Sequence, residues 1–356
     1  MRARRILRPV AGALTRRWSP RSRLLLVGEG AGWVIDQELL ELGEVAGRIG
    51  VQLADQRFLT VSRDQAAFFG SQFTLLREPW RPYPHALATA YFHGRPGTPG
   101  MPEFDVAYDT LRAHHDELAR VQVTHAEMHD LVLSTGIDPA KVHRIRIGVD
   151  VRLFPQQTSE ARAAVRRELG LPEQAFVVGS FQKDGVGWGD GDEPKLVKGP
   201  DVLVEAMRAL QERRTELHVL LSGPARGYVR AGLERHGIPF AHRRPDRYQD
   251  VARLYLALDA YVVPSRQEGG PKSILESMAS GVPIVSTRAG QATELIVDRV
   301  NGRLVEVEDP EALADALADD DLPAYVAAAR ETALENDKVA QTALWRTFLD
   351  GLVDHA

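Results

Sequence analysis

Residues 264–283 read PSRQEGGPKSILESMASGVP, and they hold the densest set of chemically useful side chains in the chain. Gly269 and Gly270 take side chains away where backbone must come close to a guest, and Pro271 suits the first turn of a helix. The backbone N–H groups of Lys272 and Ser273 then face whatever sits at that helix start, and an anion such as a diphosphate is the natural occupant. Glu268 and Glu276 lie eight positions apart, one in the loop and one in the helix, so both could look into one cleft from either side of the anion. Carboxylates bind phosphate poorly and hydroxyls well, which suits polyol rings flanking a diphosphate. A plainer reading has Glu276 paired with Lys272 across one helical turn, in the weaker orientation, and Glu268 solvated.

Such a loop and helix must be carried by a scaffold. Short apolar runs at Leu24–Val27, Ala86–Tyr91, Val121–Thr124 and Arg144–Ile147 read as strands, with helical stretches around Ala66, Leu111 and Met128. The alternation restarts after Asp150, with strands at Phe176–Ser180, Leu217–Leu221, Ala260–Pro264 and Pro283–Ser286. Strands alternating with helices imply mostly parallel sheets. We therefore expect a basic arm over 1–23, a Rossmann-like domain over 24–150 and a second over 151–330. A helical segment over 331–356 would cross back onto the first.

The chain of 356 residues is long enough for two such cores, and its 44% hydrophobic and 26% charged content is that of a folded globular protein. A net charge of −5 argues against a dedicated nucleic-acid binder. The absence of cysteine removes disulfides, thiolate zinc sites and thiol nucleophiles, and agrees with a reducing, cytoplasmic setting. No apolar stretch approaches the roughly 18 residues of a membrane span. The arm carries Arg2, Arg4, Arg5, Arg8, Arg16, Arg17, Arg21 and Arg23 without an acidic partner, around Ile6, Leu7, Val10, Leu14 and Trp18. That pattern would suit a helix lying on anionic lipid at the inner membrane face; the plainer reading is a solvated terminus.

Glu268 to Glu276 resembles the E-x7-E motif of glycosyltransferase family 4, the retaining "glycosyl transferases group 1" type with the GT-B fold. The resemblance continues through LYLALDAYVVPSRQEGG, ASGVPIVSTRAGQATELI and NGRLVEVEDPEAL in the second half. In the first half it rests on GEGAGW, YFHG and KVHRIRIGVD. It implies an α/β protein of GT-B architecture, two Rossmann-like domains whose parallel sheets face each other across a cleft. It further implies a metal-independent enzyme, without cofactor, that moves a hexose-type sugar from a nucleoside diphosphate sugar to an acceptor hydroxyl on a glycan, a lipid-linked molecule or a small molecule.

Carried over residue by residue, the resemblance puts Glu268 on the donor sugar, Glu276 on the nucleotide ribose and Gly269, Gly270, Pro271, Lys272 and Ser273 around the diphosphate. His93 approaches the donor sugar, Gly30 and Gly32 approach the phosphate and the acceptor, and Lys198 supplies positive charge. The family's phosphate-binding arginine has no match after VVGSF; Lys183 stands in for it, with Lys195 as the rival. A lysine supplies charge without the bidentate fork. Two other readings share these motifs: an epimerase or phosphorylase on the same scaffold, and a catalytically weak sugar-nucleotide-binding partner protein. Asp190-Gly191-Asp192 imitates a metal-binding DxD but falls in the glycine-rich stretch GVGWGDGDEPK. His125 with His129, and His114-His115-Asp116, lack an evident third ligand. SGPARG at 222–227 lacks the ending of a P-loop and reads as a loop bordering the nucleotide.

Overall fold

The computed structural model describes residues 23–30 and 34–353, so Gly32 and the arm before Arg23 lie outside the described residues. The chain divides into two compact units, one made of 1–147 with 338–356 and the other of 148–337. The first boundary falls three residues before the expected one. The second falls seven later, because the helix Val326–Glu335 still packs on the second unit, its Ala329 and Ala333 buried in that core.

In the first unit the strands are β1 (Leu24–Val27), β2 (Leu53–Ala54), β3 (Ala66–Phe69), β4 (Ala86–Ala90), β5 (Leu118–Val123) and β6 (Val142–Arg144). They form a parallel sheet in the order β2-β1-β3-β4-β5-β6. The helical stretch expected around Ala66 is instead β3: its four residues, AAFF, are all buried, and a strand covered on both faces shows no alternation to read. β6 precedes the expected Arg144–Ile147, and the two-residue β2 carries too little pattern to detect.

The segment 331–356 is not one helix. The chain ends the Val326–Glu335 helix, crosses at Lys338 and forms a separate helix, Thr342–Leu349, in the first unit. There Phe68 of β3 meets Trp345 and Phe348 edge-to-face, at centroid distances of 5.7 and 5.5 Å. Lys338 ties the crossing down by donating to Glu44 at 2.8 Å.

The second unit holds β7 (Phe176–Ser180), β8 (Leu217–Ser222), β9 (Phe240–Arg243), β10 (Ala260–Val263), β11 (Ile284–Thr287) and β12 (Arg303–Val305). All pair in parallel, in the order β12-β11-β10-β7-β8-β9. Successive residues enter opposite core layers: Val177, Leu220, Tyr261 and Ile284 join one, and Val178, Val219, Val262 and Val285 the other. Helices therefore cover both faces, which explains the unbroken apolar runs of these strands.

Half-buried histidines give the fold a pH dependence. Burial pushes the imidazoles of His143, His218 and His242 below their ordinary range. A base whose folded value is lowered favours its neutral form in the fold, so its contribution is present above about 6.5 and is lost as pH falls through the folded value. We expect the thermal midpoint to drop between pH 7 and pH 5. His218→Gln should flatten that slope, because His218 Nε2 is buried without a hydrogen-bond partner. An unchanged slope in scanning calorimetry would refute the assignment.

Candidate functional site

In an open parallel sheet, guests bind beyond the carboxyl ends of the strands where the strand order reverses. In the second unit that point lies between β7 and β10. β7 leads into Phe181-Gln182-Lys183 and β10 into Pro264-Ser265, so the loop preceding the Lys272–Ser280 helix starts at the reversal. Pro271 is the residue preceding this helix, with extended backbone, rather than a residue of its first turn. Ile274, Leu275, Met278 and Ala279 anchor the helix in the core, and Gly281 ends it in the left-handed conformation at φ 71°.

Lys198 and Glu268 meet there. The Lys198 ammonium donates to Glu268 Oε2 at 2.6 Å, and the Ser265 hydroxyl donates to Oε1 at 2.8 Å. The glutamate side chain is only 7% exposed and that of Lys198 is 27% exposed, so the lysine is the more accessible member of the pair. The turn carrying it needs Gly199: φ is +62°, and a Cβ there would lie 2.1 Å from the Pro264 carbonyl oxygen. Arg266 clamps the same turn, donating to both Asp201 carboxylate oxygens at 2.7 Å and to the Leu196 carbonyl at 2.8 Å. Burial opposes ionisation of Asp201, yet this fork holds its carboxyl below the ordinary range.

Glu276 is buried and accepts from two tyrosine hydroxyls, Tyr248 on Oε1 and Tyr255 on Oε2, the latter at 2.8 Å. Burial and the neighbouring carboxylate push the Tyr255 hydroxyl well up, which keeps it a donor. Both tyrosines stand on the helix Tyr248–Tyr255, seven residues apart and hence on one face. Gly269 and Gly270 lie in the loop, where the Gly269 carbonyl accepts from Gln291 N at 3.2 Å. Lys272 is buried, its ammonium 5.9 Å from the Tyr248 ring centre, and Ser273 follows it in the helix.

Lys183 lies with its ammonium 4.7 Å from the ring centre of Trp188, and the Lys195 backbone N–H donates to the Asp184 carbonyl at 2.8 Å. The glycine-rich stretch between them is an ordered hairpin. Gly185 bridges Pro194, and the carbonyls of Asp190 and Gly191 accept from Gly227 N and Tyr228 N at the start of the Gly227–Arg235 helix. The DxD look-alike thus caps a helix through its backbone. Among the described residues no cluster of three or more metal-ligating side chains occurs.

The first unit gathers its own candidates. Its strand order reverses between β1 and β3. Gly30 follows β1 with φ +69°, and its N–H meets Asp36 Oδ1 at 3.2 Å; no atom lies within 4 Å of a Cβ placed there, so conformation demands the glycine. His93 follows β4 with Nε2 3.3 Å from the Ser71 hydroxyl and its ring stacked on Phe73 at 4.9 Å. Gln72 fixes this turn, its Oε1 accepting from Phe92 N and His93 N at 2.9 and 3.0 Å. Of the discounted histidines, His114 pairs with Glu117, His115 and His129 lie against the neighbouring Asp116 and Asp130, and His125 Nδ1 lies 2.9 Å from the Thr124 hydroxyl.

Two doubly wound α/β units, the second with a lysine, a carboxylate and a helix start at its strand reversal, define the fold class. Comparison with known proteins agrees. Residues 191–319 match the model of the family described as Glycosyl transferases group 1. The chain is 34% identical over 235 residues to the D-inositol 3-phosphate glycosyltransferase of Xylanimonas cellulosilytica, covering 60% of this chain and 52% of that protein. It is 33% identical over 250 residues to the protein of the same name from Saccharomonospora viridis, covering 65% of this chain and 53% of the relative. The chain thus spans about half the length of the curated relatives it matches.

Among solved structures, Anabaena HepE in complex with UDP-glucose aligns with a TM-score of 0.70 at 18% identity, over 92% of this chain and 99% of that one. Sucrose-phosphate synthase from Thermosynechococcus elongatus aligns with a TM-score of 0.68 at 17% identity, over 92% and 100%. At these identities the likeness shows a shared fold, the GT-B class expected from the sequence. No described helix is long and apolar enough to cross a membrane.

Proposed function

We propose that this chain is a retaining, metal-independent glycosyltransferase of the family 4 type that takes its sugar from a nucleoside diphosphate donor. The contact of Lys198 with Glu268 at the strand reversal, beside the start of the Lys272–Ser280 helix, carries the reading. A diphosphate would receive charge from the part-buried Lys198 ammonium and hydrogen bonds from the helix N–H groups. Glu268, released from the lysine, would accept hydroxyls of the sugar. Glu276, already shaped by two hydroxyl donors, has the right chemistry for a ribose.

Bond cleavage leaves an oxocarbenium-like sugar and a diphosphate whose growing charge Lys198 neutralises. The leaving phosphate would take the acceptor proton on the same face, so no enzyme nucleophile is needed. The relatives named for inositol phosphate support a phosphorylated polyol as the first acceptor to try. An acceptor at a membrane surface would draw on the arginines of residues 2–23. Action in the cytoplasm follows from the use of a nucleotide donor.

The direct test is thermal stabilisation by UDP, GDP, ADP and their sugar conjugates, with and without EDTA, for the wild type and Lys198→Ala. One nucleotide series at 100 times its dissociation constant should stabilise the wild type by about 2.7 kcal/mol, insensitive to EDTA, with the effect cut to about half or less in the variant. Stabilisation by none of them would sink the reading. Stabilisation without turnover on any acceptor would leave a sugar-nucleotide-binding protein.

A further inference from the structure

Arg226 belongs to the SGPARG loop, and its side chain is the largest among the fully buried ones of the described residues. It springs from the loop after β8 and inserts its guanidinium beneath the carboxyl end of β7. Nη1 donates to the carbonyls of Ser180, Gln182 and Ser222 at 2.6, 2.9 and 3.0 Å, and Nη2 to the Ser180 hydroxyl at 3.1 Å. Nε lies 3.0 Å from Asp184 Oδ1, and both side chains of this pair are 0% exposed. A guanidinium so enclosed cannot itself hold a substrate.

We infer that the buried pair of Arg226 and Asp184 is the positioning device for Lys198, fixing the ammonium where a donor diphosphate is held. This rests on the donor-site reading above. Two routes connect the guanidinium to the lysine backbone, one hydrogen-bonded throughout and one that begins with an ion pair. Through the first, Arg226 holds the Gln182 carbonyl, and the Gln182 side-chain amide donates to the Lys198 carbonyl at 2.8 Å. Through the second, Arg226 faces the Asp184 carboxylate, the Asp184 carbonyl accepts from Lys195 N at 2.8 Å, and the Lys195 carbonyl accepts from Lys198 N at 2.8 Å.

Both ends of the hairpin 183–197 are thereby pinned to one side chain. Burial pushes the Asp184 carboxyl above its ordinary range, opposed first by Arg226 and last by Lys198, so Lys198 lies within electrostatic reach of the pair. The arginine expected on the loop after β7 is thus replaced by one arriving from the loop after β8, and it acts on the phosphate through Lys198 alone.

A double-mutant cycle read by isothermal titration with UDP, GDP and ADP, below the melting temperature of every variant, tests this. Lys198→Ala and Arg226→Met should each weaken the bound nucleotide at least roughly 10-fold, the loss of one charge-assisted contact. In the Lys198→Ala background, Arg226→Met should cost less than about 2-fold, because its route to the ligand is gone. Should Arg226→Met not fold, Arg226→Met with Asp184→Leu removes both buried charges together and takes its place in the cycle.

Arg226→Lys, which keeps the charge and loses the fork, should bind as weakly as Arg226→Met. A merely structural role would lower the melting temperature and leave the affinity of the folded protein unchanged, overturning the inference. Losses that multiply across the cycle would overturn it as well. If the wild type binds none of the three nucleotides, the donor reading has failed and the inference falls with it.

Discussion

Glu268→Gln should lower turnover by about 10²- to 10³-fold while binding the nucleoside diphosphate at least as tightly as the wild type. The carboxylate lies 2.6 Å from the Lys198 ammonium, the group that would face the diphosphate. Neutralising it removes a competitor for that ammonium, so affinity for the anion is held or gained. What disappears is the charged acceptor for sugar hydroxyls. Lys198→Ala should fail differently: anion binding is weakened at least roughly 10-fold, and Glu268 stays buried with Ser265 on its other oxygen, destabilising the fold by about 1–3 kcal/mol. Initial rates of nucleotide release with saturating acceptor, titration with the nucleotide and urea unfolding separate the two. Equal turnover of Glu268→Gln and wild type would remove Glu268 from the reaction.

The second large effect concerns backbone. Gly199→Ala should destabilise the protein by about 3 kcal/mol or more, and Gly290→Ala similarly, whereas Gly170→Ala should cost about 1 kcal/mol. All three glycines have positive φ, at 62°, 56° and 70°. They differ in what a Cβ would meet: the Pro264 carbonyl oxygen at 2.1 Å, the Glu268 carbonyl oxygen at 2.3 Å, and nothing within 4 Å. The first two clashes fall on the loop that aims Glu268, so folded protein recovered from either variant should bind nucleotide poorly. Urea midpoints for the three variants, set beside nucleotide titration, check the ranking. A Gly199→Ala variant as stable as Gly170→Ala would mean that the turn relaxes freely.

Much of the second unit was legible because its strands are short apolar runs broken by glycine and proline. Phe176–Ser180 was delimited from those signals alone, and Leu217–Leu221 missed only Ser222. β3 was misread because AAFF is buried on both faces and carries no period of two. The loop and helix from Glu268 to Glu276 were visible because glycine, proline and carboxylate positions constrain one another locally.

What stayed hidden depends on contacts distant in sequence. Arg226 serves β7 from 46 residues away, and Tyr248 reaches Glu276 across 28. Lys183, placed by order of sequence as the phosphate-binding cation, lies over Trp188 because the residues after it fold back as a hairpin. No local pattern announces such pairings.

The crossing at Lys338 has a consequence for the order in which the protein is made. Residues 148–337 form a contiguous unit, complete as soon as that stretch has left the ribosome. The first unit starts earlier but cannot close its core until Trp345, Phe348 and Leu349 arrive to cover Phe68 and its neighbours. The stretch 148–337 can therefore fold first while the earlier unit stays open, its apolar face waiting on Trp345, Phe348 and Leu349.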